Sequence, residues 1–141
     1  MTKTLQIRSA RDEDEPHLIA LWQVCDLTRP WNNPQKDIAF ARRKPASDVL
    51  VGELDGKLVA SVMVGHDGHR GIVYYVAVAP HCQGRGFGHA IMKAAEEWLR
   101  ERDIWKMNLL IRQGNEKVQA FYESLGYEIE PRLCMARKLI D

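Results

Sequence analysis

The chain has 141 residues, 45% hydrophobic and 28% charged, a size and composition for one folded domain spanning 1–141 and not for a disordered chain. Lys+Arg 20 against Asp+Glu 19 leaves a formal charge of +1, which gives no electrostatic reason to expect nucleic acid or a membrane surface as a partner. Cys25, Cys82 and Cys134 are odd in number and lack paired spacing, so reduced thiols and a cytoplasmic protein are expected, with no metal site of CxxC or HxxxH type. No apolar leader and no apolar run of membrane length is present, in keeping with a soluble protein.

In chain order, residues 4–8 read as a short strand. The acidic run Asp12-Glu13-Asp14-Glu15 and Pro16 then supply helix-start chemistry. Leu18, Leu21, Trp22 and Cys25 follow at helical spacing. Residues 26–34, DLTRPWNNP, are breaker-rich and predict an irregular loop. Trp31 within it is either a lid folded onto the core or one wall of a substrate cleft. A short helix is expected over 35–44, before Pro45.

Strands at 49–54 and 57–64 flank Asp55-Gly56, a type I′ hairpin signal. A second turn, GHDGHRG at 65–71, leads into an apolar, β-rich strand at 72–79 closed by Pro80. Phe87, Ile91, Ala94, Ala95 and Trp98 mark one face of a long helix. Residues 105–112 alternate as a strand, and Asn115 can cap a helix bearing Val118, Phe121, Tyr122 and Leu125, stopped by Gly126. Residues 127–130 and 133–140 read as two closing strands. The order β-α-α-β-β-β-α-β-α-β-β implies a mixed α+β fold, a mostly antiparallel sheet flanked by helices.

The informative junction lies between the central strand and the long helix. Gln83-Gly84-Arg85-Gly86-Phe87-Gly88 puts small residues where backbone amides lie bare at the positive end of a helix dipole, an arrangement that attracts phosphate. A nucleoside-triphosphate loop would need Gly-Lys-Ser/Thr, but Gly88 is followed by His89. A dinucleotide fingerprint would need a third glycine where His89 stands, and the antiparallel meander is the wrong setting for it.

The pattern Gln83-x-x-Gly86-x-Gly88, after a strand and opening a long helix, resembles the signature of the GNAT superfamily of acyl-CoA-dependent N-acetyltransferases. A second block, Asn115 followed by Ala120-Phe121-Tyr122-Glu123-Ser124-Leu125-Gly126-Tyr127, is similar to that family's "N…FYE-x-x-GF" segment. These two segments also look like those of acetyltransferases that modify the N-termini of ribosomal proteins. The order of elements agrees along nearly the whole chain.

The resemblance implies acetyl-CoA as co-substrate and a primary amine as acceptor, joined by direct attack in a ternary complex. Amides of Gln83, Gly84, Arg85, Gly86, Phe87 and Gly88 would hold the pyrophosphate, with Arg85 adding a charge-assisted bond. The pantetheine arm would pair with the strand Val76-Ala77-Val78, the Val78 N–H would polarise the thioester carbonyl, and Asn115 would contact the same arm. Tyr122 matches the tyrosine that protonates the leaving thiolate in many members, although on spacing alone it is a core aromatic. Two places where members often carry a glutamate base correspond to Ile72 and Leu110, neither of which accepts a proton. By residue type Glu53, His66, Asp67 and His69 are substitutes, the turn histidines reading better as solvated decoration, and Tyr75 could order a water. Two rivals keep the fold: an acyl-CoA-binding module without turnover, and a transferase of a longer acyl group. The acceptor is open among small amines, amino acids and protein N-termini, and a homodimer is compatible with the family.

Overall fold

A computed structural model describes residues 4–140, which fall into two compact units, one ending at Leu109 and the other beginning at Leu110. The first holds a five-stranded sheet in the order β1-β2-β3-β4-β5: β1 Gln6–Ser9, β2 Ser47–Leu54, β3 Lys57–His66, β4 Gly71–Val78 and β5 Met107–Asn108. Neighbours are antiparallel except β4 and β5, which pair in parallel. Helices α1 (Glu15–Val24), α2 (Pro34–Ala41) and α3 (Phe87–Arg100) belong to this unit, and the second unit carries α4 (Glu116–Ser124).

Periodicity explains most of this. Of the α3 face anticipated from Phe87, Ile91, Ala94, Ala95 and Trp98, all but the half-buried Ala94 are buried, together with Met92 and Leu99. Leu18, Leu21 and Trp22 bury the inner side of α1. Residues 48–52 of β2 are buried without a break, the pattern of a strand covered on both faces, whereas strict alternation would mark a solvated one. The β2–β3 hairpin turns on Asp55 and Gly56, both at positive φ (54° and 76°), as a type I′ turn requires.

Four expectations change. Helix α2 ends at Ala41, short of Lys44, because Arg42 is extended, Arg43 has φ 54° and Lys44 bridges Ser47 ahead of Pro45. The strand expected over 105–112 is paired only at Met107 and Asn108. Residues 127–130 and 133–140 form no strand, and Leu133, Met135, Leu139 and Ile140 are exposed. Alternating side chains make a segment competent for a sheet, but only a neighbour's N–H and C=O groups make it a strand. Trp31 is 70% exposed, so it is not a lid packed on the core.

The acidic run that starts α1 has a second job. A 3-10 turn at Asp12–Asp14 precedes the helix, and the Asp14 carboxylate is buried. It accepts two bonds from the Arg8 guanidinium (2.6 and 3.0 Å) and one from the Arg11 N–H (2.7 Å), while Arg8 also bonds Glu53 of β2. The Arg8 bonds hold the Asp14 carboxyl below the usual carboxylate range. We expect Asp14→Asn to cost about 3 kcal/mol in urea unfolding, since it leaves a half-buried guanidinium short of its partner. The folded pKa lies below the unfolded one, so this stabilisation is complete above about pH 4 and is lost as pH falls through the folded value. The wild-type midpoint should drop over that acid range and the Asp14→Asn midpoint should drop less.

Candidate active site

Strand β4 is regular until its middle. Ser61 pairs with Ala77 and Met63 with Tyr74, so β4 spends two residues, Tyr75 and Val76, opposite Val62 alone. Tyr75 takes φ 52°, a conformation that costs a bulky residue about 1–2 kcal/mol. Neighbouring elements hold it there. Its ring stacks on Trp22 of α1 (centroids 3.8 Å apart, planes within 11°), and its hydroxyl donates to Asp37 Oδ2 of α2 at 2.7 Å. Its carbonyl accepts from Ser61 Oγ of β3 at 2.8 Å, and that hydroxyl in turn accepts from Trp22 Nε1 at 2.9 Å. Burial and the Asp37 carboxylate push the Tyr75 phenol well above its ordinary range.

Beyond the bulge, β4 faces β3 on one edge only. The Ala79 N–H donates to the Val59 carbonyl at 2.8 Å, so Val59/Ala79 and Ser61/Ala77 are the bonded pairs of this ladder. Val78, opposite Ala60 in the pair between, turns its N–H and C=O away from β3. On that outer edge pairing with β5 stops at Ile72 and Asn108, among the described residues. The Val78 carbonyl accepts from Gln83 Nε2 at 3.1 Å and from Cys25 Sγ at 3.4 Å, ties that run to the following loop and to the end of α1.

That loop is a 3-10 turn, Pro80–Cys82, then Gln83 in extended backbone, then Gly84 and Gly86, both at φ 81°. Nothing lies within 4 Å of where a Cβ would sit at either glycine, so the backbone angle, not crowding, calls for glycine. Residues 83–86 are exposed. The first bond of α3 runs from the Ala90 N–H to the Gly86 carbonyl (3.1 Å), and no side chain caps the helix. Among the described residues the N–H groups of residues 86–89 meet no protein acceptor. They are donors set at the positive end of a fourteen-residue helix.

In the second unit the Asn115 side chain accepts from the Val118 N–H at 3.3 Å and caps α4, which commits its oxygen and leaves its amide NH₂. The Tyr122 ring is buried, edge-on to Phe121 (5.0 Å) and Tyr127 (5.7 Å). Its hydroxyl has no hydrogen-bond partner among the described residues, yet no buried side-chain N or O there lacks one, so the hydroxyl reaches solvent. Burial pushes the phenol up to about 12.

Of the side chains considered as bases, Glu53, His66 and Asp67 are otherwise engaged. Glu53 bonds Arg8. His66 Nδ1 accepts from the Gly68 N–H at 2.9 Å, and Asp67 Oδ1 accepts from the His69 and Arg70 N–H groups, so these residues build the 66–71 turn. Ile72 sits in the β4–β5 pairing and Leu110 is exposed. Among the described residues no three His, Cys, Asp or Glu side chains group as metal ligands, and no helix is long and apolar enough to cross a membrane. Sequence reasoning missed Ser61 and Asp37. The available signal for Ser61 was a lone hydroxyl inside the apolar run 58–64, which must find partners when buried.

Residues 7–127 match the family described as the Acetyltransferase (GNAT) family. An acetyltransferase of Yersinia pestis (strain Pestoides F) is 40% identical over 136 residues, 96% of each chain. One from Yersinia enterocolitica serotype O:8 matches to the same extent. Among solved structures, the aminoglycoside N-acetyltransferase AAC(6')-Iy in complex with CoA has TM-score 0.82 at 16% identity, covering 98% of this chain and 97% of that one. The ribosomal-protein-S18-alanine N-acetyltransferase from Escherichia coli has TM-score 0.73 at 23% identity, covering 87% and 77%. At such identities the likeness is one of fold.

Gly86→Ala should cost about 1 kcal/mol in urea unfolding, because alanine is strained at φ 81° although it meets no neighbour. The matching control is Gln83→Ala, in the same exposed loop but in extended backbone, which should leave the midpoint nearly unchanged.

Proposed function

The chain belongs to the acetyltransferase (GNAT) family, and on that premise we propose that it transfers the acetyl group of acetyl-CoA to a primary amine by direct attack in a ternary complex. The observation that carries this reading is the run of unaccepted N–H groups at residues 86–89, entered from a β4 edge that stays unpaired at Val78. The first suits a pyrophosphate, with Gln83, Gly84, Arg85, Gly86, Phe87 and Gly88 forming the cradle. The second suits the amide-bearing pantetheine arm along Val76, Ala77 and Val78, which would add to β4 as a strand adds to a sheet edge. The Asn115 amide NH₂ is a further donor for that arm. The family match crosses both compact units, which supports one catalytic domain over 1–141. Three free thiols fit a reducing cytoplasm.

In the reaction the nitrogen lone pair of the neutral amine attacks the thioester carbonyl and forms the C–N bond. The Val78 N–H bonds the oxygen as negative charge develops there. The C–S bond then breaks with its electron pair on sulfur, and the Tyr122 hydroxyl donates to that sulfur. A phenol at about 12 stays protonated at working pH, and as it gives its proton to the sulfur it takes up the one the amine releases through water, so no phenolate accumulates and the proton balance closes. The amine proton leaves through water, in keeping with Ile72 and Leu110 at the usual base positions. Orientation of the two substrates supplies much of the rate.

The deciding experiment incubates the protein with acetyl-CoA and a panel of small amines, amino acids and peptides with free N-termini, following thiol release. Release above background hydrolysis, dependent on an amine, is expected. Tight CoA binding without release for any amine would replace the transferase with a binding module, and preference for longer acyl-CoA would replace the donor.

Tyr122→Phe should lower kcat about 100-fold, the size of a general-acid contribution, and leave the CoA dissociation constant within about twofold. Because the phenol stays protonated up to about 12, the wild-type kcat should show no downturn from Tyr122 between pH 8 and 11. A Tyr122→Phe enzyme with wild-type kcat would remove this residue from the chemistry.

A further inference from the structure

The residues that hold Tyr75 come from three different elements, and all converge on the few residues of β4 proposed to receive the donor. Ser61 is fully buried in β3, and its hydroxyl is fixed from both sides. The Trp22 indole N–H donates to it at 2.9 Å, so its own hydrogen is directed to the Tyr75 carbonyl at 2.8 Å. Trp22 also stacks on the Tyr75 ring, and Asp37 takes the hydroxyl at its far end. Three residues on, the Cys25 thiol donates to the Val78 carbonyl. A tyrosine left to itself avoids φ 52°. Without the left-handed turn β4 would continue its regular ladder, and each later residue would shift by one place. That shift would exchange the edge toward which Val78 presents its N–H.

We propose that Ser61, locked by Trp22, is a positioning residue for the acyl donor: it holds Tyr75 in the left-handed conformation that aims the Val78 amide at the open edge of β4. The proposal rests on the acetyl-CoA reading and adds to it a buried relay, Trp22 to Ser61 to Tyr75, that touches neither substrate. A buried hydroxyl that accepts from the indole must still place its own hydrogen on some acceptor. Here it has one, and that partner is the strained residue. The donor site is therefore set from behind, by α1 and β3.

The test measures CoA affinity by titration calorimetry, which needs no acceptor, beside urea stability. Ser61→Ala should weaken CoA about tenfold. Ser61→Thr keeps the hydroxyl and should bind within about twofold of wild type even where its extra methyl lowers stability. Val49→Ala, a buried substitution in β2, is the control for general destabilisation and should leave CoA affinity unchanged. Trp22→Phe retains a stacked ring but loses the N–H that directs Ser61, and should weaken CoA about threefold, which keeps the proposal testable if Ser61→Ala does not fold. Equal affinity in Ser61→Ala and wild type would overturn it, as would Ser61→Thr losing as much as Ser61→Ala, or wild-type affinity in Trp22→Phe. Failure of the wild-type protein to bind CoA at all would instead strike at the acetyl-CoA reading itself and take this proposal with it.

Discussion

One residue in an unfavourable backbone conformation decides how the central strand is used. Tyr75, at φ 52°, makes the bulge after which β4 changes which of its groups face β3. At its start, Gly71 and Ile72, the strand is paired on both sides, with β3 and with β5. After the bulge, β3 alone holds the strand, and Val78 turns its amide outward. An unpaired edge in the interior of a sheet is a liability unless something fills it. Under the proposed function a substrate carrying its own amides would turn that liability into a binding edge, beside the phosphate-type loop that follows within about ten residues of sequence.

Such a strained position persists because its surroundings leave it no alternative. The Trp22 stack, the Ser61 bond and the Asp37 bond approach Tyr75 from three elements and act on its ring, carbonyl and hydroxyl respectively. Those elements are secured in turn by ordinary burial: Leu18, Leu21 and Trp22 below α1, and the continuous apolar stretch of β2 and β3. The Arg8–Asp14–Glu53 cluster ties the start of α1 to β1 and β2, so the helix that carries Trp22 and Cys25 is fixed at its N-terminal end by charge. The loop at 83–86 uses a different device. There glycine makes the left-handed turns without opposition, and no neighbour is needed to hold them.

The two proposed chemical contributors also differ in how they are built. The Val78 amide owes its direction to pairing register, a property of the whole sheet. Tyr122 owes its protonated state to burial of its ring between Phe121 and Tyr127, while its hydroxyl stays open to solvent. One is a fixed dipole and the other a proton donor, and neither requires a residue of unusual chemistry. His66 and Asp67, two of the groups with the most obvious acid–base character in the sequence, are spent on the turn at 66–71.

What the residues determined alone were features written in local rules. Helix α3 followed from its apolar period, the I′ turn from Asp55-Gly56, the α4 cap from Asn115, and the amide cradle from Gly84 and Gly86, whose positive φ was implied by their identity. The family signature was legible for the same reason, because it lies in two contiguous segments. Tertiary structure alone decided everything that depends on a partner distant in sequence. Ser61 meets Tyr75 across 14 residues and Trp22 across 39, and Asp37 meets Tyr75 across 38. Residues 133–140 alternate like a strand but lack one, because a ladder needs a second chain segment that no alternation can supply. Tyr75 unites both lessons: an unremarkable tyrosine in a β-rich run by sequence, it becomes the pivot of the sheet only because three other elements hold it at an angle that tyrosine does not choose.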